Sequence, residues 1–249
     1  MAETKDLRRN WLDRAVGFLS PQAGLKRARA RMATEIVLRH YEAAAASRRT
    51  QGWRRTSGDA NAVLTGALAR LREHARDLVR NNPHAKSAIG TIADHTVGWG
   101  IVAKPNPMNK AVADVWKAWA ESPACDSDGR HDLAGLQKLA WRTVVESGEV
   151  LIRRRRRLPE DGLPLPLQLQ VLEPDYLDTL KTGITLPNGG RIVHGVEFDV
   201  LGRRVAYWLY PEHPGAQWFG GSINSRRVPA ESVLHVFHQE RPGQVRAAS

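Results

Sequence analysis

Five consecutive arginines, Arg153 to Arg157, are the sharpest chemical feature of the sequence. Side chains alternate along an extended strand, so Arg153, Arg155 and Arg157 share one face there and Arg154 and Arg156 take the other. A row of guanidinium groups can bind phosphates bidentately, each contact adding salt-dependent affinity. Two other roles fit the same residues. The charge could protect an edge strand against edge-to-edge pairing, or the arginines could pair with acidic residues of an adjacent subunit. Arg153, Arg155 and Arg157 are thus the candidate nucleic-acid or subunit-interface residues.

The other reactive residue types form no catalytic set. His235-Val236-Phe237-His238 is the best metal-like pair. A strand points its two rings to opposite faces, and neither HExxH nor a third ligand accompanies it. A structural histidine is the expectation. Asp126-Ser127-Asp128-Gly129 resembles the start of a calcium loop but lacks the later ligands, so a polar turn between helices is expected. Glu146 and Glu149 flank Ser147-Gly148, close enough for acid–base chemistry. A helix C-terminus leading into a strand explains them equally well. Cys125, the single cysteine, excludes an intramolecular disulfide and any multi-cysteine zinc site. There is no G-x-S-x-G, no G-x-x-x-x-G-K-[ST] and no strand-borne G-x-G-x-x-G. Nothing in the sequence asks for a cofactor or marks a catalytic residue.

The elements that must position these residues follow from composition and period. At 249 residues, 42% hydrophobic and 25% charged, the chain has the make-up of a globular protein with a real core. No apolar run approaches the ~20 residues of a membrane span, and the N-terminus has no apolar h-region. Cytosolic folding without a membrane is expected. The formal charge is +11, and residues 1–60 hold 13 basic against 6 acidic residues. Such a basic arm suggests contact with nucleic acid or another polyanion; a solvated arm that orders only in an assembly fits too. Within it, Asp6 to Phe18 and Lys26 to Ala46 read as helical, and Trp53 as an aromatic anchor.

Beyond the arm, Leu64, Leu68, Leu71, Ala75, Leu78 and Val79 recur at helical spacing over 61–81, opposite a polar face with Arg70, Arg72, Arg76 and Arg80. Asn82-Pro83 caps a second helix with Ala85, Ala88, Ile89, Ile92 and Ala93 inward. Gly98-Trp99-Gly100 stops it, and Ile101 to Ala103 reads as extended. Asn106-Pro107 repeats the cap before a helix bearing Val112, Val115, Trp116 and Trp119. Asp132 caps a fourth, with Leu133, Leu136, Leu139, Ala140 and Val144 inward and Gly148 beyond its end. The period then changes. Glu149 to Arg157, Leu167 to Val171, Ile192 to Phe198, Arg203 to Tyr210 and Val233 to Phe237 read as strands, with a hairpin at Gly202. The tryptophans of the helical half are taken as core. The predicted class is α+β: a basic arm over 1–60, a four-helix layer over 61–148 and an antiparallel β-rich region over 149–249.

Several phrases fall in order along this frame. Arg76-Asp77-Leu78-Val79-Arg80-Asn81-Asn82-Pro83 is followed by Val97-Gly98-Trp99-Gly100-Ile101, Trp116-Lys117-Ala118-Trp119, Cys125-Asp126 and Glu146-Ser147-Gly148-Glu149-Val150. Leu172-Glu173-Pro174-Asp175, Gly195-Val196-Glu197-Phe198-Asp199, Gly202-Arg203-Arg204-Val205-Ala206-Tyr207, Val228-Pro229-Ala230, Leu234-His235-Val236-Phe237 and Arg241-Pro242-Gly243-Gln244-Val245-Arg246 complete the series. Together, over roughly residues 50–246, they resemble the lambda-type portal proteins of tailed bacteriophages.

The resemblance implies a structural protein rather than an enzyme: a subunit of a homo-oligomeric ring, a dodecamer in the intact family, at one capsid vertex of the virion. Double-stranded DNA passes through such a ring, and terminase, capsid and head-completion proteins dock on it, with assembly in the bacterial cytoplasm. Family members are roughly twice this long, so the chain reads as the N-terminal half of a portal, from a truncated or split gene of the kind a decaying prophage carries. A DNA conduit gains nothing by gripping phosphates tightly; many of the arginines are therefore expected to face neighbouring subunits or acidic residues of the missing half. The competing readings are a free-standing basic α+β domain that binds nucleic acid through the arm and Arg153–Arg157, and, more remotely, a hydrolase or metal enzyme built on Glu146, Glu149 and His235.

Overall fold

Gly148 divides helices from strands. In the computed structural model, residues 58–103, 109–216 and 224–247 are described. Helices α1 (Ala60–Leu64), α2 (Leu68–Asn81), α3 (Pro83–Val97), α4 (Lys110–Ala120) and α5 (Leu133–Ser147) come first. Their starts follow capping chemistry. The side chains of Asp59, Asn82, Asn109 and Asp132 each accept from a backbone N–H of the first turn. Gly148 ends α5 in the left-handed conformation, φ 82°, which a residue with a Cβ resists.

Two helical expectations need correction. The single helix over 61–81 is two, because the chain turns at Gly66 with φ 78°. The cap of α4 is Asn109; Asn106-Pro107 lies outside the described residues, as do the helices read at 6–18 and 26–46 and the anchor Trp53.

Strands β1 (Glu149–Arg156), β2 (Leu167–Leu172), β3 (Ile184–Thr185), β4 (Arg191–Val193), β5 (Val196–Phe198), β6 (Arg204–Leu209), β7 (Arg226–Pro229) and β8 (Val233–Phe237) follow. They form two antiparallel sheets, of order β2-β1-β8 and β3-β4-β5-β6-β7, so the fold is α+β as expected. β1 is the middle strand of its sheet, which overturns the edge-strand explanation of its arginines. The strand read over 192–198 is interrupted at His194-Gly195, both at positive φ. Gly195 is required there, since a Cβ would lie 2.8 Å from the Asp178 carbonyl oxygen.

Two apolar clusters hold these layers. Trp119, Ala120, Cys125 and Leu136 pack under Leu167, Leu169 and Val171 of β2, and the Trp119 indole N–H donates to the Leu167 carbonyl at 2.6 Å. Leu151, Leu172 and Val233 of the smaller sheet meet Val196, Phe198, Tyr207, Leu209 and Val228 of the larger. The helical stripes are narrower than the periodicity suggests. α2 buries Leu68 and Val79 but exposes Leu71 and Leu78, and it buries Arg72 from the face read as polar. α3 buries Ile89, Ala93 and Val97 while Ile92 faces out. Leu139, Val112 and Val115 are also exposed, and Trp99, read as core, is 99% exposed. The segment after it is no strand. Gln137 instead holds it, its side-chain amide accepting from Ile101 N–H and donating to Ile101 C=O.

Candidate functional site

Both ends of β1 carry charge, arranged in opposite ways. At its start, just beyond the glycine that ends α5, Glu149 is fully buried. A lone carboxylate there is untenable. Arg246, also at 0% exposure, meets it side-on, with Nε 2.8 and 2.9 Å from the two oxygens and Nη2 2.6 Å from Oε1. The other donors of that guanidinium reach the His194 carbonyl at 3.2 Å and the Pro174 carbonyl at 3.2 Å. Ala247 N–H adds a bond to Oε2, and Arg72 stands 3.5 Å from Oε1.

His235 completes the cluster. Its Nε2 is 2.8 Å from Glu149 Oε2, and its Nδ1 is 3.0 Å from Arg204 Nη1. A guanidinium only donates, so Nδ1 accepts, the ring is neutral, and Nε2 carries the proton it gives to Glu149. Burial, with Arg246 and Arg204 nearby, holds the His235 pKa below its ordinary value against the pull of Glu149. Burial opposes ionisation of Glu149 as well, yet Arg246 and His235 outweigh it and bring the carboxyl down to about 2. Arg72 and Arg76 carry the network outward to Asp175, at 3.4 and 2.6 Å. Burial disfavours the charge on Asp175, and the two arginines still keep its pKa low.

The far end of β1 has cations with no acid partner among the described residues. Arg153, Arg155 and Arg157 are half-buried, while Arg154 and Arg156 are exposed. Arg155 donates to the Gln170 side-chain oxygen at 3.4 Å and Arg157 to that of Gln168 at 2.7 Å. Gln168 is itself held by the Ala124 and Asp126 carbonyls. The register sets Arg153 opposite Gln170 and Arg155 opposite Gln168. Neutral amides thus aim the guanidiniums while leaving their charge uncompensated. Among the described residues none of the five arginines has an ion-pair partner. Burial, then the neighbouring Arg155, lowers the pKa of Arg153.

The remaining sequence candidates fall into structural roles. Glu149 and His235 do meet, but in a closed cluster, and Glu146 is not part of it. His238 is exposed. Asp126 is the acceptor of a turn, taking N–H donors from Asp128, Arg130 and His131. Cys125 is buried, and desolvation with Asp126 alongside pushes its thiol up to about 11, the opposite of a reactive thiolate. Glu173, Asp175 and His213 converge closely enough to hold a cation. Arg76 already stands 3.2 and 2.6 Å from the two carboxylates, so a guanidinium fills that role. Sequence reasoning missed the parts played by Arg72, Arg204 and Arg246. The available signal was the burial rule run backwards: an acid in the first position of a central strand needs buried cations.

Apart from Arg72, the charged residues and the histidine of this cluster come from phrases far apart in sequence: 76–83, 146–150, 172–175, 202–207, 234–237 and 241–246. The pattern of the family described as phage portal protein, lambda family, matches residues 46–249, a span that contains all of them. The chain is also similar to a protein described as "Probable portal protein" of Halomonas phage phiHAP-1, at 29% identity over 224 residues, which is 84% of this chain and 42% of the relative. The chain thus spans less than half the length of this curated relative.

Proposed function

The chain belongs to the lambda family of phage portal proteins, and from that premise we propose that it is part of a structural subunit of a portal ring. In this reading copies of the subunit close into a ring at a capsid vertex, as a dodecamer, and DNA enters during packaging and leaves on infection. Terminase and head-completion proteins are its docking partners, the virion its destination and the host cytoplasm its place of assembly. Its work is mechanical rather than catalytic.

One observation carries the proposal. Six of the eleven phrases by which the chain resembles the family each place a residue in the Glu149–Arg246 cluster, so much of the resemblance gathers at a three-dimensional hub. A hub that ties α2, both sheets and the 241–247 segment together suits a subunit that must transmit force without deforming. The exposed Leu71, Leu78, Ile92, Val112 and Val115 on the helices support a surface that other chains cover.

Electron microscopy of the purified chain, paired with DNA retention across a salt series, tests the proposal. Closed rings with a central opening and weak DNA retention are the expected result. A monomer that grips duplex DNA with a steep salt slope, reduced by R153A/R155A/R157A, overturns it in favour of a free-standing nucleic-acid-binding domain.

A further inference from the structure

We propose that an adjacent copy of the chain adds a strand to the outer edge of β8, which names a subunit contact for the portal reading and rests on that reading. β8 is the last strand of the β2-β1-β8 sheet, and the register shows which of its backbone groups are spare. The Arg157 N–H bonds the Pro166 carbonyl, one step beyond the Arg156–Leu167 pair. Bonded and non-bonded pairs alternate along an antiparallel ladder, so the odd-numbered residues of β1 turn their backbone to β2 and the even-numbered ones to β8. Val150 and Ile152 stand opposite Val236 and Leu234, and those two are the residues of β8 that β1 bonds. His235 and Phe237 therefore direct N–H and C=O outward. Val233 directs only its carbonyl, since its N–H bonds the Ala230 carbonyl. None of these outward groups has a hydrogen-bond partner among the described residues. Nor is the edge covered. The His235 side chain is 1% exposed, yet the residue as a whole is only half-buried, so it is the backbone that solvent reaches.

The other three sheet edges among the described residues are guarded. On β2, the Trp119 indole and the Ser127 N–H take the Leu167 and Leu169 carbonyls. β3 is two residues long. β7 carries Arg226 and Arg227 and ends in Pro229, which has no N–H to offer. β8 has none of these devices. Its sequence Val-Leu-His-Val-Phe holds no lysine, arginine or proline, and Leu234 and Val236, on one face of the strand, are 53% and 40% exposed. A bare edge with an apolar face is a template for one more strand.

Charge selects the occupant. Residues 230–240 hold Glu231 and Glu240 but no lysine or arginine, in a chain of net +11. Both glutamates are exposed and have no ion-pair partner among the described residues. This edge therefore attracts the basic surface of another copy. The β8 of that copy is not the strand that arrives, because two such edges set one acid-bearing segment against another. A different element of the copy docks, so the contact is heterologous, the kind whose repetition closes a ring.

The test follows the full chain by electron microscopy and by amide hydrogen exchange, as wild type and as L234K/V236K. Rings are expected from the wild type, with the His235 and Phe237 amides exchanging about tenfold more slowly in rings than in the dilute monomer, and those of Leu234 and Val236 protected in both. Lysine at the two exposed positions guards the edge and should prevent ring closure while leaving the circular dichroism of the monomer unchanged. Should the double variant not fold, amide exchange on the wild-type chain decides. Rings in which the His235 amide exchanges as freely as in the monomer, or rings that the folded double variant still closes, overturn strand addition at β8 and leave the portal reading standing. A wild-type chain that stays monomeric, or pairs only as two-fold dimers, overturns the portal reading and this inference with it.

Discussion

The two ends of β1 begin from the same material, charged side chains on a central strand, and reach opposite outcomes. At Glu149 each charge is buried and answered: the carboxylate has Arg246, Arg72 and the His235 N–H. At Arg153 to Arg157, glutamine amides align Arg155 and Arg157, and none of the five cations has an acid partner among the described residues. Burial makes the difference. Charge in a dry interior must be neutralised within the fold, so the first end serves the architecture. Charge at a wetter end can stay uncompensated, and there it is available to another molecule.

Breaking the first end gives the largest effect. Arg246→Ala removes both arms of the clamp on Glu149 and strands a buried carboxylate, at a cost of about 3–5 kcal/mol. Urea unfolding of the chain measures it. Arg246→Lys should rescue little, since an ammonium cannot reproduce the two-point contact or reach the His194 and Pro174 carbonyls together. Recovery of most of the stability by lysine would show that bulk charge, not geometry, holds the hub.

Acid sharpens the comparison with a smaller, graded effect. His235 has a folded pKa below its ordinary 6.5, so the unfolded chain takes up the proton first. Its stabilisation is complete above about 6.5 and is lost as pH falls toward the folded value. Glu149 is lowered from 4.5 to about 2; its contribution is present above 4.5 and is lost between there and about 2. Both losses run the same way, so stability should fall in two stages on acidification. Thermal melts between pH 8 and pH 3 should show this, and Glu149→Gln should flatten the lower stage. A stability profile level from pH 7 to pH 4 would mean that the cluster is not closed to water.

Much of this architecture is legible in the sequence because it is locally encoded. The caps at Asn82 and Asp132, the stop at Gly148 and the alternation over 167–171 depend on neighbours in the chain. The features that sequence reasoning misses depend on packing across the fold. Arg72 looks like part of a solvated helical face until Glu149 and Asp175 arrive beside it from more than seventy residues away. The exposure of Leu71 and Leu78 has the same origin, since periodicity marks an apolar face but not whether the chain itself covers it. His194-Gly195 reads as strand because the reversal it makes depends on Asp178 packing behind it. The arginine run is visible at once. That β1 is a middle strand, and that Arg154 and Arg156 pass beyond the end of β8, requires the pairing itself.

The smallest effect is expected at the arginine end, and its smallness is informative. Arg155→Gln removes a half-buried cation that has no acid partner among the described residues and that depresses the pKa of Arg153 beside it. The hydrogen bond from Arg155 to Gln170, which the variant cannot make in the same way, is long at 3.4 Å. Relief of repulsion and weakening of that bond should nearly cancel, leaving the stability within about 0.5 kcal/mol of the wild type. Like-charge repulsion is screened by salt, so the sign of the change should depend on ionic strength: slightly stabilising in dilute buffer, slightly destabilising at high salt. Denaturant titrations at two salt concentrations resolve this. A loss of several kcal/mol at both would place Arg155 with Arg246 as an internal strut, and the distinction between the two ends of β1 would fall with it.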